Sequence, residues 1–130
     1  MKESLHFRCV IQENARRINQ MRERIHETFA RRSEGREAWE AWSRACAEFR
    51  QEYEALAFPG GFESGLRRLE AGEERAIEEA LAFVEVRPYF FRSQYMHQKL
   101  VPRLKRAILS SRQAERFHAV MERLRRQGWG

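Results

Sequence analysis

Four histidines, His6, His26, His97 and His118, are the chain's candidates for proton transfer. His97 and His118 fall on consecutive predicted helices and could meet in space. Two imidazoles beside the guanidinium of Arg92 would suit phosphodiester cleavage by general acid and base. No histidine stands at metal-ligand spacing with a second ligand, so no metal is expected. All nineteen acidic residues are Glu and none is Asp, which removes the common Asp-containing triads and Asp-rich metal sites. Gly60-Gly61 lacks the Gly and Lys that would follow in a phosphate loop, and reads as a turn. No nucleophile, base and stabiliser converge, so the sequence predicts a protein that is not an enzyme and needs no cofactor.

Cationic pattern is the stronger signal. Twenty-two of the twenty-five basic residues are Arg. Residues 1–32 carry eight basic and four acidic groups, residues 33–87 seven and thirteen, and residues 88–130 ten and two. An acidic middle thus lies between basic ends, and such polarity bears on association rather than on fold. At about 100° per residue, Lys99, Arg103 and Arg106 share one arc of a helix. Arg112, Arg116 and Arg123 form a similar arc on the next, opposite Phe117, Val120 and Leu124. Both stripes are expected to face outward and to bind either an acidic protein or a nucleic-acid backbone. No helix-turn-helix, zinc-finger or RNA-recognition signature accompanies them. The acidic protein is the favoured ligand, because no exposed aromatics are expected between these cations to stack on bases. Arg92 joins the candidate binding residues. It sits among Tyr89, Phe90, Phe91 and Tyr95, where a guanidinium can stack on rings and fasten the corner against the helix of Trp39 and Trp42.

Helices must position these groups. Ile11, Ile18 and Ile25 recur every seven residues, with Asn14, Met21 and Thr28 between them, on a helix predicted over about residues 8–31. This stripe either packs on its own domain or forms a homodimer seam whose register Asn14 fixes. Ser33 or Glu34 opens a second helix, whose Trp39, Trp42, Cys46, Phe49, Tyr53 and Leu56 make a core-like face. Phe58-Pro59-Gly60-Gly61 is the strongest break. A short helix near Ser64–Ala71 stops at Gly72, and the next starts at Glu73 or Glu74. That helix ends at Arg87-Pro88, because a residue before proline avoids right-handed helical angles. Glu78 and Glu79 read as surface groups on it. Ser93 is the expected cap of a helix through Leu109 that kinks or restarts at Pro102. Ser110 and Gln113 make a capping box for the last helix, which has Ala114 on its inner face and ends at Gly128. Leu5, Phe7 and Cys9 give the only hint of strand alternation.

At 130 residues the chain suits one domain. The expectation is all-α, with five to seven helices in helical-hairpin or HEAT-like packing: residues 1–32 as an N-terminal arm and residues 33–130 as the core. Cys9 and Cys46 are too few for a disulfide framework. The N-terminus lacks a signal-peptide run and no segment approaches a membrane span, so a cytoplasmic protein with no membrane partner is expected.

From Trp42 to Ile108 the chain resembles a group of small, uncharacterised, all-helical bacterial proteins. The matching residues are Phe49, Tyr53, the Leu56-Ala57-Phe58-Pro59-Gly60-Gly61 turn, Leu66, Leu69, Gly72, Ile77-Glu78, Ala80-Leu81 and Phe83. They continue through Pro88, Phe90-Phe91-Arg92-Ser93, Tyr95 and Leu104-Lys105-Arg106. The family pattern carries an acidic residue before the proline and Gly between Ser and Tyr, where Arg87 and Gln94 stand here. The resemblance implies a helical fold with no known catalytic site. Small helical proteins of this look also occur as immunity proteins beside bacterial toxins. The expected function is therefore a protein-binding module that neutralises a bacterial toxin domain, with nucleic-acid binding as the alternative.

Overall fold

Ile11, Ile18 and Met21 decide where the first helix goes. In the computed structural model, which describes residues 2–128 and side chains from Ser4 onward, helix α1 runs Lys2–Arg31. The hint of strand at Leu5 to Cys9 is overruled: Phe7 lies on the same helical face as Ile11 and is buried with it. Ile18 is wholly inaccessible, covered by α2 (Arg36–Ala57) and α4 (Glu74–Val86). Burying such a side chain is worth roughly 1.5–3 kcal/mol, so α1 belongs to the core and is no detached arm. Ile11, Ile18 and Met21 of the heptad stripe are buried within one chain, whereas Asn14, Ile25 and Thr28 are partly covered.

α2 begins at Arg36, later than Ser33, with Gly35 at its cap. Its aromatic stripe behaves differently along its length. Phe49, Tyr53 and Leu56 pack against the core, while Trp39 is 51% exposed. The reason is where the core stops. On α1 the last buried residue is Met21, so the final turns of α1 and the first turns of α2 have mainly each other to lean on. At their joined tip Phe29 and Trp42 meet edge-on, and the Arg32 guanidinium lies 3.5 Å over the Phe29 ring.

The Phe58 to Gly61 break turns the chain into α3 (Phe62–Glu70), with Gly60 and Gly61 at φ of 75° and 88°. These left-handed angles favour glycine. Gly65 is needed for another reason: a Cβ there would come 2.5 Å from the ring of buried Phe58. α4 is the central helix, touched by α1, α3, α5 (Ser93–Arg106) and α6 (Ser111–Arg126). Ala76, Ile77 and the run from Ala80 to Val84 are all buried, so little of its circumference faces water. It ends at Arg87, which takes a left-handed conformation (φ 50°) ahead of Pro88.

Arg92, at φ 69°, is the residue that caps α5, one position before the expected Ser93. The Ser93 hydroxyl instead accepts from the Phe90 amide at 3.0 Å, and the Ser93 amide donates to the Phe90 carbonyl at 3.0 Å. Pro102 neither breaks nor restarts α5, which runs through it to Arg106. The capping box of α6 forms in full: the Gln113 amide donates to Ser110 Oγ at 3.1 Å, and the Ser110 amide to Gln113 Oε1 at 2.9 Å. Ala114, expected inside, is exposed. The architecture is a single all-α domain of six helices among the described residues.

Candidate partner-binding surface

The corner between α4 and α5 sets the start of α5. Asn19 Nδ2 on α1 donates to the Tyr89 carbonyl at 2.8 Å, and the Tyr53 hydroxyl on α2 donates to the Phe91 carbonyl at 2.6 Å. Burial of that phenol raises its pKa, while the Arg92 charge pulls the other way. Phe91 stands edge-on to Phe49 and Tyr53, with Arg22 5.0 Å from its centroid. The corner is therefore held against the middle of α1 and α2. α2 is the helix of Trp39 and Trp42, as expected, but the contact is made by Tyr53 and Phe49 and not by Arg92.

Arg92 instead lies 4.8 Å from the centroid of Tyr95, and Lys99 Nζ lies 5.5 Å from the same ring. Phe62 of α3 meets that ring edge-on. By helical spacing, Arg92, Tyr95, Lys99, Arg103 and Arg106 fall on one arc of α5. Arg103 sits 3.6 Å from Glu70 of α3, which fixes the direction of the arc toward the α3 side. Arg92, Lys99 and Arg106 are exposed and make no ion pair with the described residues. This half of the expected basic surface is an outward cationic stripe.

The α6 half loses one member. Arg116 is mostly buried between two carboxylates of α4, at 2.8 Å from Glu78 and 2.8 Å from Glu85. The hydrogen bonds it donates to Glu85 and Glu78 hold its charge on more firmly than usual. Burial alone would raise the Glu78 carboxyl, but hydrogen bonds from Arg116 and Gln113 outweigh it and leave Glu78 below its ordinary range. Gln113 Nε2 also donates to Glu74 and Glu78, at 2.8 Å each. Arg123 donates to the Glu85 carbonyl at 3.1 Å. Arg112 is exposed, at a polar cleft of about 510 Å³ that it shares with Arg8, Glu74 and Ser4. Arg116 is thus turned onto α4, whereas Arg112 and Arg123 are exposed as expected. The half-buried carboxylates Glu78 and Glu85 of α4 take the arginine that the sequence pattern turned outward.

Those carboxylates are what that reading missed. Glu79, expected at the surface, is 2% exposed, with Arg68 at 3.0 Å and Arg75 at 3.4 Å. A signal existed: Glu74, Glu78 and Glu85 stand four and seven apart, one stripe on a short helix whose second half is apolar but for Glu85. Such a helix needs cations from its neighbours if it is buried all round.

The two histidines are not brought together as an acid–base pair. His97 is buried and lines a cavity with Met121 and Leu124, whereas His118 lies outside that lining and is exposed, 3.9 Å from Glu122. Burial, with the Arg87 charge added, lowers the His97 pKa to about 4. Among the described residues no group of three His, Cys, Asp or Glu could hold a metal ion, and no helix is long and apolar enough to cross a membrane.

No family model, curated protein or solved structure matches this chain.

Proposed function

We propose that this chain is a non-catalytic, cytoplasmic protein-binding module, of the kind that neutralises a bacterial toxin, and that it docks an acidic partner on the outer arc of α5. The observation that carries the reading is the row of exposed cations Arg92, Lys99 and Arg106, unpaired among the described residues, around an exposed tyrosine. Arg and Tyr are enriched where a few residues dominate a protein interface. A charged row of this kind speeds encounter with a complementary partner.

One observation favours a nucleic acid instead. Tyr95 is 40% exposed between cations, which removes the original argument that no aromatic is interleaved there. Its ring, however, already carries Arg92 one turn before and Lys99 one turn after. To stack a base, it would have to displace one of them. The protein reading therefore stands first.

The test uses wild type and a Lys99→Glu, Arg106→Glu variant as equal baits. Wild type should recover an acidic protein and the variant should not. If the gene beside this one encodes a large secreted toxin, co-expression of wild type should rescue growth from its toxic domain and the variant should rescue it poorly. Binding of wild type to generic RNA at micromolar concentration or tighter, falling steeply with salt, would replace the protein by a nucleic acid.

A further inference from the structure

Arg8 differs from the other partly covered arginines of the fold. Arg32, Arg68, Arg87, Arg103 and Arg116 are, like it, partly withdrawn from water, and each donates to an acceptor of the chain. Arg8 donates to none of the described residues, and its Nε is out of reach of water. A guanidinium so placed is costly until something accepts from it. It lines the polar cleft of about 510 Å³ where the first turns of α1 and α6 flank α4. The carboxylates of that cleft already have donors: Arg116 serves Glu78 and Glu85, and Gln113 Nε2 serves Glu74 at 2.8 Å. Its remaining donors have no acceptors. Arg112 is exposed there and makes no ion pair with the described residues. Ser4 is 9% exposed, and its hydroxyl has no partner among them.

From these features we infer that the cleft between α1, α4 and α6 binds a small, polar organic anion. Its phosphate or carboxylate group is held by Arg8 and Arg112, and the hydroxyls of its body lie against Ser4 and Glu74. Ser110, the cap of the 16-residue α6, lines the same space, and the positive end of that helix dipole favours an anion. The volume lies in the range of small-molecule sites and is far more than a single ion fills. Leu5 is the one apolar side chain of the lining and no aromatic stands there, so nothing in it would stack on a base. A phosphate monoester fits better than a carboxylate, because two guanidinia without acceptors match its two charges. The cleft shares no residue with the outer arc of α5 and does not depend on the partner proposed there.

The probe is glucose 6-phosphate, titrated at fixed ionic strength into the isotope-labelled full chain, with glucose, gluconate and inorganic phosphate for comparison. Saturable NMR shifts are expected at Ser4, Arg8, Ser110 and Arg112, half complete below about 1 mM glucose 6-phosphate. Tighter binding of gluconate would assign a carboxylate as the group held. Arg8→Met and Arg112→Gln should each weaken the anion by about tenfold. Without ligand, Arg8→Met should keep or raise the melting temperature, because no acceptor of the chain loses a donor. A lower melting temperature would make Arg8 a structural arginine and overturn the inference. So would the absence of a saturable shift with either organic anion up to about 10 mM, equal binding of glucose, or shifts confined to Lys99 and Arg106. Inorganic phosphate binding as tightly as the ester would mean an adventitious ion only.

Discussion

Arg68 Nη1 donates to Glu79 Oε1 at 3.0 Å, and its Nη2 donates to the Pro59 carbonyl at 3.0 Å. One guanidinium thereby joins α3, the central helix and the Phe58–Gly61 turn. Glu79 is nearly cut off from water, so its charge depends on partners. Replacing Arg68 by Met should destabilise the fold by about 3 kcal/mol, the low end for breaking a buried pair, because Arg75 still reaches Glu79. Urea unfolding followed by Trp fluorescence measures it. Replacing Glu79 by Gln as well should recover part of the loss.

Gly65→Ala tests the same junction by volume. The added methyl would overlap the Phe58 ring, which is buried against Phe62 and Phe83 and has little room to retreat. A loss of roughly 1–3 kcal/mol is expected from overpacking. An unchanged urea midpoint would mean that α3 slides freely on the turn.

How much of this could be seen in the residues alone follows the range of each interaction. The capping box at Ser110 and Gln113, the break at Pro59 and the stop before Pro88 depend on neighbours within four residues, and all are where the pattern puts them. The six-helix, all-α domain follows from periodicity. The fate of Arg116 was not legible, because it depends on α6 lying against Glu78 and Glu85 of α4, more than thirty residues away. Trp39 fails for a related reason. Its spacing marks an apolar face, but only the depth of the core decides whether that face is covered. On α5, Lys99 and Arg106 face outward as the spacing suggests, because among the described residues only Arg103 of that arc has a carboxylate across from it.

Acid should weaken the fold in two stages. His97 has its pKa lowered to about 4 by burial and the Arg87 charge, so between its ordinary 6.5 and that value the unfolded chain binds the proton more readily. Stability therefore falls as pH drops through this window. Glu78 has a lowered pKa, so its contribution is present above its ordinary 4.5 and disappears as pH falls further. Urea midpoints measured across pH 7 to 3 should decline throughout, and His97→Gln should flatten the upper part alone. A variant profile parallel to wild type above pH 5 would contradict this assignment.

The basic residues should divide into two classes on substitution. Arg116→Ala leaves Glu78 and Glu85 facing each other across a partly buried gap, and should cost about 3 kcal/mol or more. Lys99→Ala with Arg106→Ala removes exposed side chains that pair with no described carboxylate, and should stay within about 0.5 kcal/mol of wild type. A combined change of Arg103, Arg106, Arg112 and Arg116 should therefore unfold at lower urea because of Arg116, and any loss of binding in it would say nothing about the surface. The Lys99, Arg106 pair is the informative one. Equal urea midpoints for that variant and wild type, together with a slower association with the recovered partner, would tie the binding to the outer arc of α5. A midpoint shift as large as that of Arg116→Ala would show instead that these two cations hold the fold.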